Sequence, residues 1–222
     1  MTTQAPARPV SIPVQAVRDQ LVAAAQDNTL TPGQAVSATQ LAEALSCPET
    51  AVQMTLPLLV DEEFLQVDGN GAYILRNLAP SEILDLYNAR AGVEGFSARL
   101  LAERNDPALN KRLYKVINEA VSCPDYDARA YFDANRRIHR AMVAGTENRF
   151  LLRCFDDLWR RGAVFGLFAT IENVDFAASL AEHTALVDAI ATGDGSLSAD
   201  RMIAHVRDGY FLKLDASQRG PF

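Results

Sequence analysis

Three histidines are the whole imidazole complement of this chain, and each falls on the apolar stripe of a different helical pattern. His139 shares a face with Phe132, Asn135 and Met142; His183 sits among Leu180, Thr184, Val187 and Ile190; His205 sits among Met202, Val206 and Leu212. Residues three and four apart line one side of a helix, so each ring is expected to point inward with its apolar neighbours. Neutral imidazole is the commonest ligand for borderline transition metals, and three rings converging in an interior would make a metal site. The competing expectation for each ring alone is a packed histidine hydrogen-bonded to a neighbour.

Those rings need helices to hold them, and the chain has the material. Its 222 residues are 49% hydrophobic and 22% charged, the balance of a protein that buries a real core in one large or two modest domains. No apolar run reaches bilayer length, so no membrane role is expected. Residues 1–9 lack a basic segment followed by an apolar one, so no secretory signal is read. Cys47, Cys123 and Cys154 are odd in number and far apart, the pattern of reduced thiols in a cytoplasmic protein.

Residues 1–12 read as a flexible arm. Residues 13–78 read as a winged helix-turn-helix. Helical patterns at 14–25, 38–45 and 49–60 precede two β-prone runs, Phe64-Leu-Gln-Val67 and Ala72-Tyr-Ile-Leu75, around the turn Asp68-Gly-Asn-Gly71. Pro57 falls inside the third helical pattern, where it is expected to kink or shorten the helix. Residues 79–216 carry helical periodicity throughout, in segments near 80–104, 107–121, 126–143, 147–170, 174–191 and 197–214. They read as an all-α bundle of six or seven helices. The expected fold class is therefore mainly α.

The motifs Leu30-Thr-Pro-Gly33, Leu41-Ala-Glu-Ala-Leu45 and Gly71-Ala-Tyr-Ile74 occur in the first half. Arg90-Ala-Gly-Val-Glu94, Asn135-Arg-Arg-Ile-His139, Glu182-His183 and the late His205 occur in the second. Together and in this order the chain resembles GntR-type transcription regulators of the FadR subfamily, which carry a C-terminal FCD ligand-binding domain. The resemblance implies a divalent metal held by one Asp and three His. The histidine positions correspond to His139, His183 and His205, and the Asp position is Asn135. An amide oxygen is a weaker donor to a dication than a carboxylate, so lower metal affinity and a stronger pull on an anionic effector are expected. Zinc is the expected ion, with nickel or manganese as alternatives.

The implied effector is a small carboxylate, for which Arg90 and Arg161 are the candidate partners because guanidinium matches carboxylate bidentately. Arg90 has a second reading, an i,i+4 ion pair with Glu94. The resemblance further implies a homodimer reading a DNA operator palindrome, with Thr39, Thr50, Gln53 and Gly71 as candidate contacts. The arginines such readers use are replaced here by Thr39, Glu49 and Gln53. Residues 1–78 hold three basic and eight acidic side chains, a net charge of −5, within a chain of net charge −7. Phosphate contacts need Lys or Arg, so fold and charge point in opposite directions.

Two functions are therefore carried forward. One is an effector-responsive DNA-binding transcription regulator. The other is a metal- and metabolite-binding sensor whose winged helix has lost DNA affinity and acts as an interaction module. No nucleophile elbow, HExxH or phosphate loop supports an enzyme.

Overall fold

A computed structural model of the protein describes residues 14–26, 29–76, 79–122, 128–160 and 176–218. The chain divides into two compact units, Met1–Asn77 and Leu78–Phe222.

In the first unit α1 (Val14–Gln26) buries Val17, Leu21 and Val22, the i, i+4, i+5 side of its pattern. α2 (Ala38–Ala44) starts at Ser37, whose Oγ accepts from the Gln40 amide at 3.2 Å. α3 (Glu49–Asp61) buries Val52, Leu56 and Leu59 against them. β1 (Leu65–Val67) and β2 (Tyr73–Leu75) form an antiparallel hairpin with Leu65 opposite Leu75 and Val67 opposite Tyr73. Residues 33–36 add to its other edge: the Val36 amide donates to the Tyr73 carbonyl at 2.8 Å and the Gly33 amide to that of Leu75 at 3.0 Å. Asp68 Oδ1 holds the turn by accepting from the amides of Asn70 and Ala72, and Gly71 supplies the positive φ of +83°.

Of the two effects expected of Pro57, a kink or a shortening, the shortening does not occur: α3 runs on to Asp61, beside the expected end near residue 60. Pro57 and Gln53, whose carbonyl loses its intrahelical partner, both lie on the exposed side of the helix. Water can satisfy that carbonyl there, so the lost bond costs too little to end a helix anchored by Leu56 and Leu59.

The second unit is helical throughout its described residues: α4 (Pro80–Arg104), α5 (Pro107–Val121), α6 (Ala128–Gly145), α7 (Arg149–Arg160), α8 (Phe176–Ala191) and α9 (Gly195–Gln218). The expected helix near 147–170 is described only as α7, since residues 161–175 lie outside the described set. Side chains set the helix starts. Glu82 reaches back to the Ala79 amide at 2.9 Å, and Asp106, Asn148 and Asp194 accept from first-turn amides. Polar ties fix how the helices face one another. Arg140 grips Asp156 with two bonds of 2.7 and 2.9 Å, joining α6 to α7, and the Tyr131 and Ser179 hydroxyls meet at 2.7 Å between α6 and α8. Tyr114 donates to Asp188 at 2.6 Å, joining α5 to α8. The core between them includes Leu101, Leu113, Ile138, Phe155 and Ile190.

α4 and α9 approach closely because Gly95 has no side chain. A Cβ there would stand 2.7 Å from Ile203 Cγ1, whereas one at Gly92 would meet nothing within 4 Å. Gly95→Val is expected to lower unfolding free energy by about 2 kcal/mol through overpacking against a β-branched neighbour. Gly92→Ala should raise it by up to about 1 kcal/mol through helix propensity. Urea midpoints that move in the same direction for both variants would contradict this packing.

Candidate metal centre

Four helices of the second unit converge on one point. α6 carries Asn135 and His139 one turn apart among the buried Tyr131, Ile138 and Met142. α8 carries His183 between Leu180 and Val187, and α9 carries His205 beside Met202 and Val206. From α4 come Arg90 and Glu94, on the stripe that also buries Tyr87, Ala91 and Leu101. His139 and His183 are buried, while His205 keeps 17% of its side chain exposed and is the one of the three rings open to solvent.

The three imidazoles come together. A ligand nitrogen from each lies within 4.8 Å of the other two. Ring centroids are 4.9 Å apart for His139 and His183, 5.3 Å for His139 and His205, and 4.6 Å for His183 and His205. His183 Nδ1 lies 3.1 Å from both the Ser179 and Leu180 carbonyls, which can only accept, so Nδ1 carries the proton and Nε2 a bare lone pair. His139 Nδ1 faces the Glu94 carboxylate and is assigned its proton on the same ground.

The consequence is electrostatic. The two Nε2 atoms face each other at 3.0 Å, and both are acceptors when the two rings are neutral. Two lone pairs at that distance repel unless a proton or a cation lies between them. Two nitrogens bound to one ion at 2.0–2.1 Å each stand about 2.9–3.4 Å apart at square to tetrahedral angles. The spacing and tautomers therefore fit a metal ion. Asn135 lies on the same buried face of α6, one turn before His139.

Burial pushes the His183 imidazole well below its ordinary range, with His139 and His205 adding to the effect. Burial and then His139 push His205 down to about 3, against a smaller opposing pull from Glu94. Burial would push the Glu94 carboxyl up, but Arg90 and His139 together hold it well below the usual carboxylate range. Both depressed histidines are thus neutral at pH 7, the state that binds metal.

An unfolded chain protonates its histidines near pH 6.5, whereas the folded chain accepts no proton on His205 until about pH 3. Stability of the metal-free protein is therefore full above pH 6.5 and is lost as pH falls through the window from 6.5 towards 3. The expected loss by pH 5 is about 2 kcal/mol for each depressed histidine. Urea titrations at pH 7 and pH 5 check this, and His205→Gln should flatten the slope. A midpoint indifferent to pH over that range would contradict it.

Around Glu94 the network is tight. Its Oε1 accepts from Arg90 Nε at 2.8 Å and from Trp159 Nε1 at 3.5 Å. The Arg90 guanidinium lies over the Trp159 ring at 4.3 Å and the Tyr87 ring at 5.1 Å. Of the two readings of Arg90, the ion pair with Glu94 is present, fully buried and 2.8 Å long. Arg161 lies outside the described residues. The contact of Glu94 with His139 was missed from sequence, where Glu94 was read only as a helical partner of Arg90. The available signal was a carboxylate on a stripe that includes Tyr87, Ala91, Ala98 and Leu101.

The candidate DNA contacts lie in the first unit. Thr39 and Gln53 are exposed, but both bond the same carboxylate: Thr39 Oγ1 donates to Glu49 Oε2 at 3.0 Å, and Gln53 Nε2 to Glu49 Oε1 at 2.7 Å. Thr50 is exposed on α3 and Gly71 is exposed at the hairpin turn. The exposed side of α3 continues through Met54 and Leu58, 66% and 47% accessible, to Asp61, with no cation along it. Arg18 is ion-paired to Glu62, and Arg76 to Glu63 at 2.8 Å.

Among the described residues no helix is long and apolar enough to cross a membrane. Compared with known proteins, residues 85–208 match the FCD domain family, a span that includes Glu94 and all three histidines. An uncharacterized HTH-type transcriptional regulator in an unstable DNA locus of Streptomyces ambofaciens is 26% identical over 189 residues, covering 80% of this chain and 75% of that protein. The fold is similar to that of E. coli McbR/YncC, with a TM-score of 0.72 at 18% identity over 92% of this chain and 98% of that one. It is also similar to a GntR transcriptional regulator from Rhodococcus sp. RHA1, with a TM-score of 0.69 at 18% identity over 91% and 98% of the two chains.

Proposed function

The chain belongs to the FCD domain family, and from that premise we propose that it is a transcription regulator of the GntR type and not an enzyme, working as a metal-dependent sensor of a small carboxylate. The observation that carries this reading is the pair of Nε2 atoms held 3.0 Å apart, with a hydrogen-bond acceptor fixed behind each ring. His139, His183 and His205 would hold the ion through ring nitrogens, with the Asn135 amide oxygen as a fourth, neutral donor. Zinc suits that set best, and nickel or manganese are the alternatives. When bound, the ion supplies a Lewis-acidic centre for an anionic oxygen.

The chain's own residues do the rest. The solvent-open side of His205 is the route by which an effector reaches the ring cluster. Arg90 has its Nε on Glu94, so its terminal N–H groups are what an effector carboxylate would meet, and Arg161 is the second candidate. Effector binding shifts the population between arrangements of the two winged helices of a homodimer on an operator palindrome.

Elemental analysis of protein purified without chelator tests the metal, and thermal melts with zinc and a panel of small carboxylates test the sensor. Protein that holds no metal even after zinc is added removes the reading.

A second reading rests on the Glu49 network. With Thr39 and Gln53 bonded to a carboxylate and both described arginines of that unit ion-paired, the winged helix would serve as an interaction module and not as a reader. Fluorescence anisotropy against DNA upstream of its own gene at low salt separates the two. Affinity that falls steeply with salt supports the reader, and no binding at micromolar dimer supports the module.

A further inference from the structure

We propose that Glu94 is the positioning residue of the metal centre: it holds His139 in the Nδ1–H tautomer and lends that ring the negative charge the ligand set lacks. This rests on the metal reading above and adds to it a specific division of labour.

His139, His183, His205 and Asn135 are all uncharged donors when the rings are neutral, so they offer a dication no charge of their own. Glu94 is 1% exposed, and its Oε2 stands against His139 Nδ1. The two nitrogens of an imidazole point away from each other, so a carboxylate on Nδ1 stands behind the ring while Nε2 faces the other histidines. Glu94 therefore acts through His139. A carboxylate that accepts Nδ1–H draws the proton toward itself and makes Nε2 a stronger donor.

The other two rings lack such support. His183 Nδ1 is held by neutral carbonyls, and His205 Nδ1 lies 3.9 Å from Glu182, a carboxylate that is 68% exposed and well hydrated. His139 is accordingly the strongest of the three ligands.

The rest of the network keeps Glu94 in place. Arg90 Nε and Trp159 Nε1 both reach Oε1, which leaves Oε2 for the histidine. The guanidinium is in turn held over two aromatic rings. A buried ion pair is a poor source of stability, since desolvation offsets its attraction, so a role in binding accounts for the pair better than a role in folding does. Trp159, the single tryptophan of the chain, has its ring centroid 6.0 Å from that of His139 and serves as an internal reporter.

The test uses the full-length protein with Zn²⁺ as the probe, measured by competition with a chromophoric chelator. Glu94→Gln keeps the size and removes the charge, and it should weaken zinc binding about 10- to 100-fold. Long-range ¹⁵N–¹H imidazole spectra of the unaltered protein should show His139 protonated at Nδ1 and bound to zinc through Nε2. Co²⁺ should quench Trp159 fluorescence on binding.

If the unaltered protein binds no zinc, the metal reading and this inference fall together. If it binds zinc and Glu94→Gln binds equally well, Glu94 is only a partner for Arg90 and this inference alone falls. Should Glu94→Gln fail to fold, the tautomer decides: ligation of zinc through His139 Nδ1 overturns the proposal, and ligation through Nε2 sustains it.

Discussion

His183→Ala is expected to lower zinc affinity by more than about 100-fold while leaving the helical bundle folded. That exceeds the usual cost of losing an outer-shell partner, because a direct ligand is removed. His183 is fully buried, so truncating its ring leaves a cavity costing about 2–4 kcal/mol. The Ser179 and Leu180 carbonyls it contacts lie within α8 and keep their backbone bonds, so no buried acceptor is orphaned. Gly95→Val supplies the matched control, with a comparable loss of stability at a site on the α4–α9 contact. If both variants lose zinc in proportion to their loss of stability, His183 has no direct role. If only His183→Ala loses zinc, and loses its response to small carboxylates with it, ion and effector share one site.

The second large effect is a gain. Placing arginine at Thr39, Glu49 and Gln53 together should raise affinity for duplex DNA about a thousandfold at 50 mM salt. It should also steepen the salt dependence by about 0.9 in log–log slope for each phosphate newly contacted. The substitutions dissolve the hydrogen-bonded group in which Glu49 holds both neighbours, and they change the charge of the first unit by +4, from −5 to −1. Folding should be little affected, since the three positions lie at the surface of α2 and α3 and contribute nothing to the Val52–Leu56–Leu59 core. Unchanged affinity in the triple variant would mean that the Met54–Leu58 side of α3 does not approach DNA at all, and would favour the interaction module.

The elements were largely legible because their signals are local. Ser37 and Asp106 announce helix starts, and Gly71 announces the turn between two alternating runs. Pro57 was read as a broken hydrogen bond that would kink or shorten the helix, and the shortening does not occur. Whether a helix survives such a break depends on which side of it is wet, and that is set by packing against α1 and α2. The deficit of positive charge in the first unit was countable from composition. That Arg18 and Arg76 are paired, and that Thr39 and Gln53 converge on Glu49, was not.

The same division holds at the metal centre. Periodicity alone placed each histidine on the inward side of its own helix, because a 3.6-residue repeat makes one face per helix apolar. It said nothing of how far apart the three faces stand, which requires α6, α8 and α9 to pack at a particular depth and rotation. Nor did it say which nitrogen of each ring is free. That depends on what lies behind the ring, and the group behind His139 comes from α4, 45 residues earlier in the chain. By itself the sequence determined which side chains face inward and how many charges each half carries, both being local or additive properties. Only the tertiary structure decided that three rings meet with a ligand nitrogen of each within 4.8 Å of the other two, and that one buried carboxylate stands behind His139, because those distances arise between helices and not within them.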